Sequence, residues 1–186
     1  SDLIEVDLGP RARGFFTTRG LRARPVSAPG GGAQDRDAES EEGTSYDGGN
    51  LALHVGDDPQ RVHCHRRRLE ELLGLERGSH LAWMNQIHSA VVATAQAGEV
   101  PTADALVLDS RTGGAPAGCC VLVADCVPVL LASRDGALTA AVHAGRRGML
   151  DGVVPATVDS LRRGGVDPAD LWAAVGPSIC GSCYEV

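Results

Sequence analysis

The sequence predicts an α/β fold, a layered domain built on a mixed β-sheet. Three observations carry that expectation. Apolar runs of strand length recur through the second half of the chain, two longer stretches space their apolar residues helically, and Arg134-Asp135-Gly136 divides two apolar runs. Asp-Gly between apolar runs is a strong hairpin signal, because glycine accepts positive φ. Many strands with few helices and no internal repeat suit sheet and helix packed in layers. With 186 residues, one domain across 1–186 with a substantial core is expected. Aromatic residues make up only 3%, so Leu, Val and Ala must fill that core.

Taken in order, Leu3, Ile4, Val6 and Leu8 and then Phe15 to Thr18 read as strands. From Gly20 to Gly49 the pattern collapses into Gly, Pro, Ser and acidic residues. Residues 20–49 are therefore expected to form a flexible insertion loop, because few apolar side chains are present to offset the entropy of fixing it. Asp58-Pro59 then opens a helix, with Asp58 as N-cap, Pro59 at the first helical position and Gly74 closing it. Val62, Leu69, Leu72 and Leu73 give this helix its apolar face. His63, Cys64 and His65 are consecutive on it and point about 100° apart, so they cannot chelate one ion together. Strands are expected at Leu81–Met84, Ala90–Ala95, Ala105–Leu108, Cys120–Ala124, Val129–Ala132, Ala137–Val142 and Leu171–Val175. A helix over Gly148–Arg163, with Leu150, Val154, Val158 and Leu161 on one face, must kink or start late around Pro155.

The formal charge of −7 argues against a nucleic-acid or anionic-membrane surface. No run of about 18 apolar residues is present to span a bilayer, and no secretory signal is visible at the start. Six cysteines, two of them adjacent at Cys119-Cys120, read as reduced thiols in a cytoplasmic protein rather than as a disulfide framework. Cys180-Gly-Ser-Cys183 has redox or metal-hairpin spacing, but a single such pair in a Gly/Pro turn reads as two free thiols.

The hairpin focuses the chemistry. It sets Cys126 and His143 at the ends of consecutive strands far from the turn, beside Pro128 and Gly145. His88, between two strand runs, is the natural third partner. A His/Cys/His set suits a tetrahedral zinc ion with one open position, the arrangement of catalytic rather than structural sites.

The blocks GNLALHVGDDP, MNQIHSAVV, ADALVLDS, VADCVPVLL, AVHAGRRG and AVGPSICGSCYEV resemble the YfiH family, whose members carry the labels laccase domain, polyphenol oxidase and purine nucleoside phosphorylase. The resemblance runs from about Phe15 to Val186 with the blocks in family order. It implies a layered α/β/α-type sandwich and His88, Cys126 and His143 as zinc ligands. It also implies phosphorolysis of adenosine, inosine, guanosine and methylthioadenosine, with adenosine deamination, so that the partners are purine nucleosides and phosphate. Arg19, Asn50, Arg66, Gln86, Asp125 and Arg147 fall on motif positions near the family's site. Asp125 is then the proton carrier, working with Cys126 and His143, and the other five bind substrate. The chain departs from the family pattern at His65, Ser89 and Arg146 and in its acidic loop. It stops at Tyr184-Glu185-Val186, where the family continues into a further C-terminal segment.

Two other readings use the same residues. A laccase-like oxidase would place copper at the His/Cys/His set, but six histidines are too few for a multicopper centre. A metal-free cysteine hydrolase would use Cys126 as nucleophile with His143 or His88 as base. A non-catalytic role, with a purely structural zinc, conflicts with the open position.

Overall fold

The computed structural model describes residues 2–19, 21 and 48–184; the acidic loop expected at 20–49 lies almost wholly outside these residues. The chain forms two compact units. One comprises Ser1–Ile4 and Thr17–Gly74, the other Glu5–Phe16 and Leu75–Val186. Strands β1 (Leu3–Asp7) and β2 (Arg13–Thr17) pair in a two-stranded sheet.

The first unit holds helix α1, Pro59–Leu72. It begins as the sequence dictates: Asp58 accepts a hydrogen bond from the Gln60 N–H, and Pro59 occupies the first turn. Its buried stripe is Val62, His65 and Leu69, and Leu72 and Leu73 are only half-buried. His65 is tolerated in that stripe because its Nδ1 lies 2.9 Å from the Asn50 carbonyl oxygen, which satisfies a polar atom that burial would otherwise penalise.

The second unit is organised by a five-stranded sheet in the order β4 (Val92–Thr94), β5 (Ala105–Asp109), β8 (Leu138–Ala144), β7 (Val127–Ser133), β9 (Leu171–Val175). β4 runs parallel to β5 and the remaining pairs are antiparallel, so the sheet is mixed. A separate two-stranded parallel sheet is formed by β3 (Leu81–Ala82) and β6 (Gly118–Cys119).

The β7–β8 hairpin forms where Asp135-Gly136 predicts it. Gly136 takes φ 71°, and the Asp135 carboxylate accepts from the Ser133 hydroxyl and the Ala137 N–H, which closes the turn. β5 is buried on both faces: Ala105 and Val107 join one core cluster, Leu106 and Leu108 the other. Period-two alternation between two covered faces explains its continuous apolar run.

Two expected elements differ. Cys120–Ala124 is not a strand, because its backbone is engaged elsewhere. Leu122 donates its N–H to Gln86 Oε1 (2.8 Å) and accepts at its carbonyl from Gln86 Nε2 (2.7 Å), so a side-chain amide stands where a neighbouring strand would be. The helix expected at Gly148–Arg163 is two helices, α2 (Arg146–Leu150) and α3 (Val153–Arg163). Gly152, at φ 89°, breaks between them, and Pro155 falls in the first turn of α3, where its missing N–H is harmless. The break resets the helical phase. Val153, Thr157 and Leu161 are buried, Val154 and Val158 pack at the edge of the core, and Leu150 is 81% exposed.

Candidate metal centre

The hairpin register explains half of the site. Val127 pairs with Ala144 and Pro128 with His143, so Cys126, one residue before β7, sits beside the end of β8 that carries His143. His88 arrives from the loop after β3. The ligand atoms of His88, Cys126 and His143 all lie within 4.8 Å of one another. Cys126 Sγ is 3.9 Å from His88 Nε2, and the two imidazoles meet edge-on with centroids 4.6 Å apart. Among the described residues this is the one group of three His, Cys, Asp or Glu side chains placed to hold a metal ion.

A residue not singled out from the sequence organises this group. Asp104 precedes β5 and is fully buried. The Ala105–Val142 pairing of β5 with β8 brings it opposite His143, whose N–H donates to the Asp104 carbonyl at 2.7 Å. Its carboxylate then accepts from both sides of the site. His143 Nδ1 is 2.8 Å from Oδ1, the His88 N–H donates to Oδ1 at 2.9 Å, and the Ser89 N–H and hydroxyl donate to Oδ2 at 2.6 and 2.7 Å. The Ile87 N–H adds a longer bond at 3.3 Å. Three successive N–H groups turned inward make an anion-holding nest. Burial raises the Asp104 carboxyl, but the His143 bond, the two Ser89 bonds and the His88 N–H together hold it below its usual value of 3.8. The signal in the sequence was Ala103-Asp104-Ala105, a carboxylate at the head of an apolar strand, because a buried charge must find partners.

The nest has a conformational cost. His88 is the one non-glycine among the described residues with positive φ, at 60°, a conformation disfavoured for side chains with a Cβ. Gly145 supplies space: a Cβ there would stand 2.9 Å from His88 Cδ2, 3.2 Å from Cys126 Sγ and 3.4 Å from His143 Cε1.

The local field disfavours a free thiolate. Burial, then the carboxylate of Asp125 and, more weakly, that of Asp104, push the Cys126 thiol above its ordinary value despite a hydrogen bond from the Arg146 backbone. A cysteine nucleophile needs the opposite shift. A cation bound among these three side chains would provide it.

The other candidate residues are distributed as follows. Asp125 is exposed directly before Cys126, and its carbonyl accepts from the Ile179 N–H. Arg147 is exposed on α2, 3.6 Å from Asp151. Gln86 holds Leu122 as described. Arg19, Asn50 and Arg66 belong to the first unit. There the Asn50 amide bonds Ala52 and Asp57, Arg66 donates twice to the Leu51 carbonyl, and Arg19 is exposed.

Fold and site together define a mixed α/β protein with a His/Cys/His group that can hold a metal ion. The chain belongs to the family described as multi-copper polyphenol oxidoreductase laccase, which matches residues 35–186. It is 47% identical over 145 residues to a protein named purine nucleoside phosphorylase from Streptomyces coelicolor, which covers 76% of this chain and 58% of that protein. A purine nucleoside phosphorylase from Streptomyces griseus is 44% identical over 142 residues, covering 74% of this chain and 56% of that protein. The chain thus spans just over half the length of the curated relatives it matches. Among solved structures, a Neisseria meningitidis protein of the DUF152 family superposes with TM-score 0.75 at 34% identity, covering 100% of this chain and 66% of that one. The Bacillus licheniformis hypothetical protein YfiH gives TM-score 0.68 at 25% identity, covering 92% and 60%.

Proposed function

We propose that this chain carries the metal centre of a zinc-dependent purine nucleoside phosphorylase, acting on adenosine, inosine, guanosine and methylthioadenosine, with adenosine deamination as a second activity. The observation that carries the reading is the convergence of His88, Cys126 and His143 around a buried carboxylate that orients one imidazole. The relatives named purine nucleoside phosphorylase supply the substrate class.

His88, Cys126 and His143 would hold the ion. One thiolate and two imidazoles suit zinc. The same donors also accept copper, but the described residues provide no second ligand group for a multicopper cluster. When bound, a divalent cation supplies Lewis-acid stabilisation of developing negative charge. In phosphorolysis a phosphate oxygen forms a bond to C1′ of the ribose as the bond from C1′ to the base breaks. Arg147 neutralises the incoming phosphate, a role for which its exposed guanidinium is suited. Asp125 takes the proton of the nucleophile and returns it to the departing base. Gln86 acts at one remove, by fixing the Leu122 backbone and with it the loop that leads to Asp125 and Cys126. The assignment of Arg19, Asn50 and Arg66 to nucleoside binding rests on the family resemblance. A reducing, cytoplasmic setting suits a chain in which no disulfide forms among the described residues, and none of its helices there is long and apolar enough to cross a membrane.

The test is incubation with adenosine, with and without phosphate, while zinc and copper are measured on the same sample, for the wild type and Cys126→Ala. Phosphate-dependent release of adenine, phosphate-independent formation of inosine, and joint loss of metal and both products in the variant are expected. A variant that keeps its metal but loses activity would turn the assignment toward a cysteine nucleophile.

A further inference from the structure

The turn after β9 carries two thiols that the metal centre does not use. We propose that Cys180 and Cys183 form a thiol–disulfide exchange site, which reacts with low-molecular-weight disulfides to close a reversible Cys180–Cys183 bridge.

The geometry is prepared for that bond. The two Sγ atoms lie 3.0 Å apart, and both cysteines are exposed and reduced. The turn between them is held by a hydrogen bond from the Cys183 N–H to the Cys180 carbonyl at 3.0 Å. It is anchored at its start, where the Ile179 N–H donates to the Asp125 carbonyl at 3.0 Å. The sulfurs therefore face each other without a rearrangement of the sheet, and only a short approach separates them from bonding distance.

The surroundings also set the direction of attack. The Ser182 hydroxyl lies 3.2 Å from Cys180 Sγ. That hydroxyl, followed by the Cys183 thiol and the Cys183 N–H, lowers the Cys180 thiol to about 7. Exchange is fastest for an accessible thiol whose pKa lies near the ambient pH. Desolvation acts the other way on Cys119, raised to about 11. Cys180 is therefore the attacking sulfur and Cys183 the resolving one.

The exchange balances without a metal. The Cys180 thiolate attacks one sulfur of the external disulfide, forms a mixed disulfide and releases one thiolate. The Cys183 thiolate then attacks the Cys180 sulfur, closes the intramolecular bridge and releases the second. The two protons lost by the protein are taken up by the two departing thiolates, and the external disulfide is the oxidant. Disulfides of this kind in reducing compartments are transient or redox-sensing rather than structural.

The test uses the chain as it stands in buffers of reduced and oxidised glutathione, with acid quenching, alkylation and mass analysis. The tryptic peptide that begins at Gly164 contains both cysteines and no internal Lys or Arg, so it reports the pair by itself. In oxidising buffer it should lose both alkylation sites and two hydrogens, and dithiothreitol should restore them. Cys183→Ser should stop at the mixed disulfide, with glutathione on Cys180. Full alkylation of both cysteines in oxidising buffer would overturn the proposal. So would a bridge to any other cysteine, or a Cys183→Ser protein that accumulates no glutathione on Cys180. Wild-type oxidation is read without any substitution, so a variant that failed to fold would not rescue the idea.

Discussion

Nδ1 of His143 lies 2.8 Å from Oδ1 of the buried Asp104, and this contact decides which imidazole nitrogen is left for the metal centre. A carboxylate accepts but does not donate when ionised, so the proton must sit on Nδ1 and the lone pair on Nε2. The same carboxylate gathers the backbone of Ile87, His88 and Ser89. One buried charge thus orients two of the three side chains that can hold the ion, although it touches no ion itself.

Asp104→Asn should therefore weaken metal binding although it removes none of the three candidate ligands. Asparagine keeps one acceptor oxygen and presents an NH2 group to donors that already point inward. Loss of an outer-shell carboxylate costs about 10–100-fold in metal affinity, and a buried donor left without its acceptor costs about 1–3 kcal/mol. Zinc titration against a competing chelator reads the first effect and urea denaturation of the metal-stripped protein the second. Unchanged affinity in a folded variant would remove Asp104 from the organisation of the site.

The same carboxylate makes a pH prediction. The folded-state value of Asp104 is depressed below 3.8, so the native state holds the ionised form more tightly than the unfolded chain does. The resulting stability is full above 3.8 and is lost as pH falls through the lower folded value. The difference in urea midpoint between metal-stripped wild type and Asp104→Asn should be constant near neutrality and shrink in acid. Taking the difference cancels Asp109 and Asp135, whose folded values are also lowered. A gap that widened in acid would contradict the sign.

What the sequence made legible was local. Asp58-Pro59 and Asp135-Gly136 act through their own backbones, so the α1 cap and the β7–β8 hairpin could be placed in advance. The hairpin then placed Cys126 beside His143. Two of the failures are long-range. Nothing near Leu122 announces that Gln86, 36 residues earlier, will occupy its N–H and carbonyl, so an apolar run that looked like a strand is a loop. Asp104 was hidden for the same reason, because its bonds to residues 87–89 and 143 cross between sheet strands and a distant loop. Leu150 was misplaced because the apolar period continued through Gly152 while the helix did not.

Gly145→Ala separates space from conformation. Gly145 has φ −69° and ψ 160°, which alanine adopts without strain. Its added Cβ would still meet His88, Cys126 and His143 at 2.9–3.4 Å. The fold should tolerate the change, because the nearest atom belongs to a side chain at the exposed edge of the site, but His88 must turn away from its companions. Metal affinity is expected to fall at least tenfold with the urea midpoint nearly unchanged. Equal affinity would mean that the three side chains can open without losing a common ion.

The last prediction concerns the backbone of His88. A φ of 60° at a residue with a Cβ stores about 1 kcal/mol or more of strain, which the N–H bonds to Asp104 hold in place. His88→Ala and His88→Gly both delete the imidazole, so both should lose metal to a similar degree. They differ in the backbone. Alanine keeps the steric conflict, whereas glycine removes it at an entropic cost of roughly 0.5–1 kcal/mol in the unfolded chain. If the strain outweighs that cost, the metal-stripped glycine variant will be the more stable of the two, by up to about 1 kcal/mol. Urea denaturation of the pair measures this directly, since transfer of the imidazole cancels in the comparison. An alanine variant more stable than the glycine one by that full entropic cost, about 0.5–1 kcal/mol, would show that the left-handed turn at His88 is not strained, and that the site needs no stored energy to hold this ring toward Cys126.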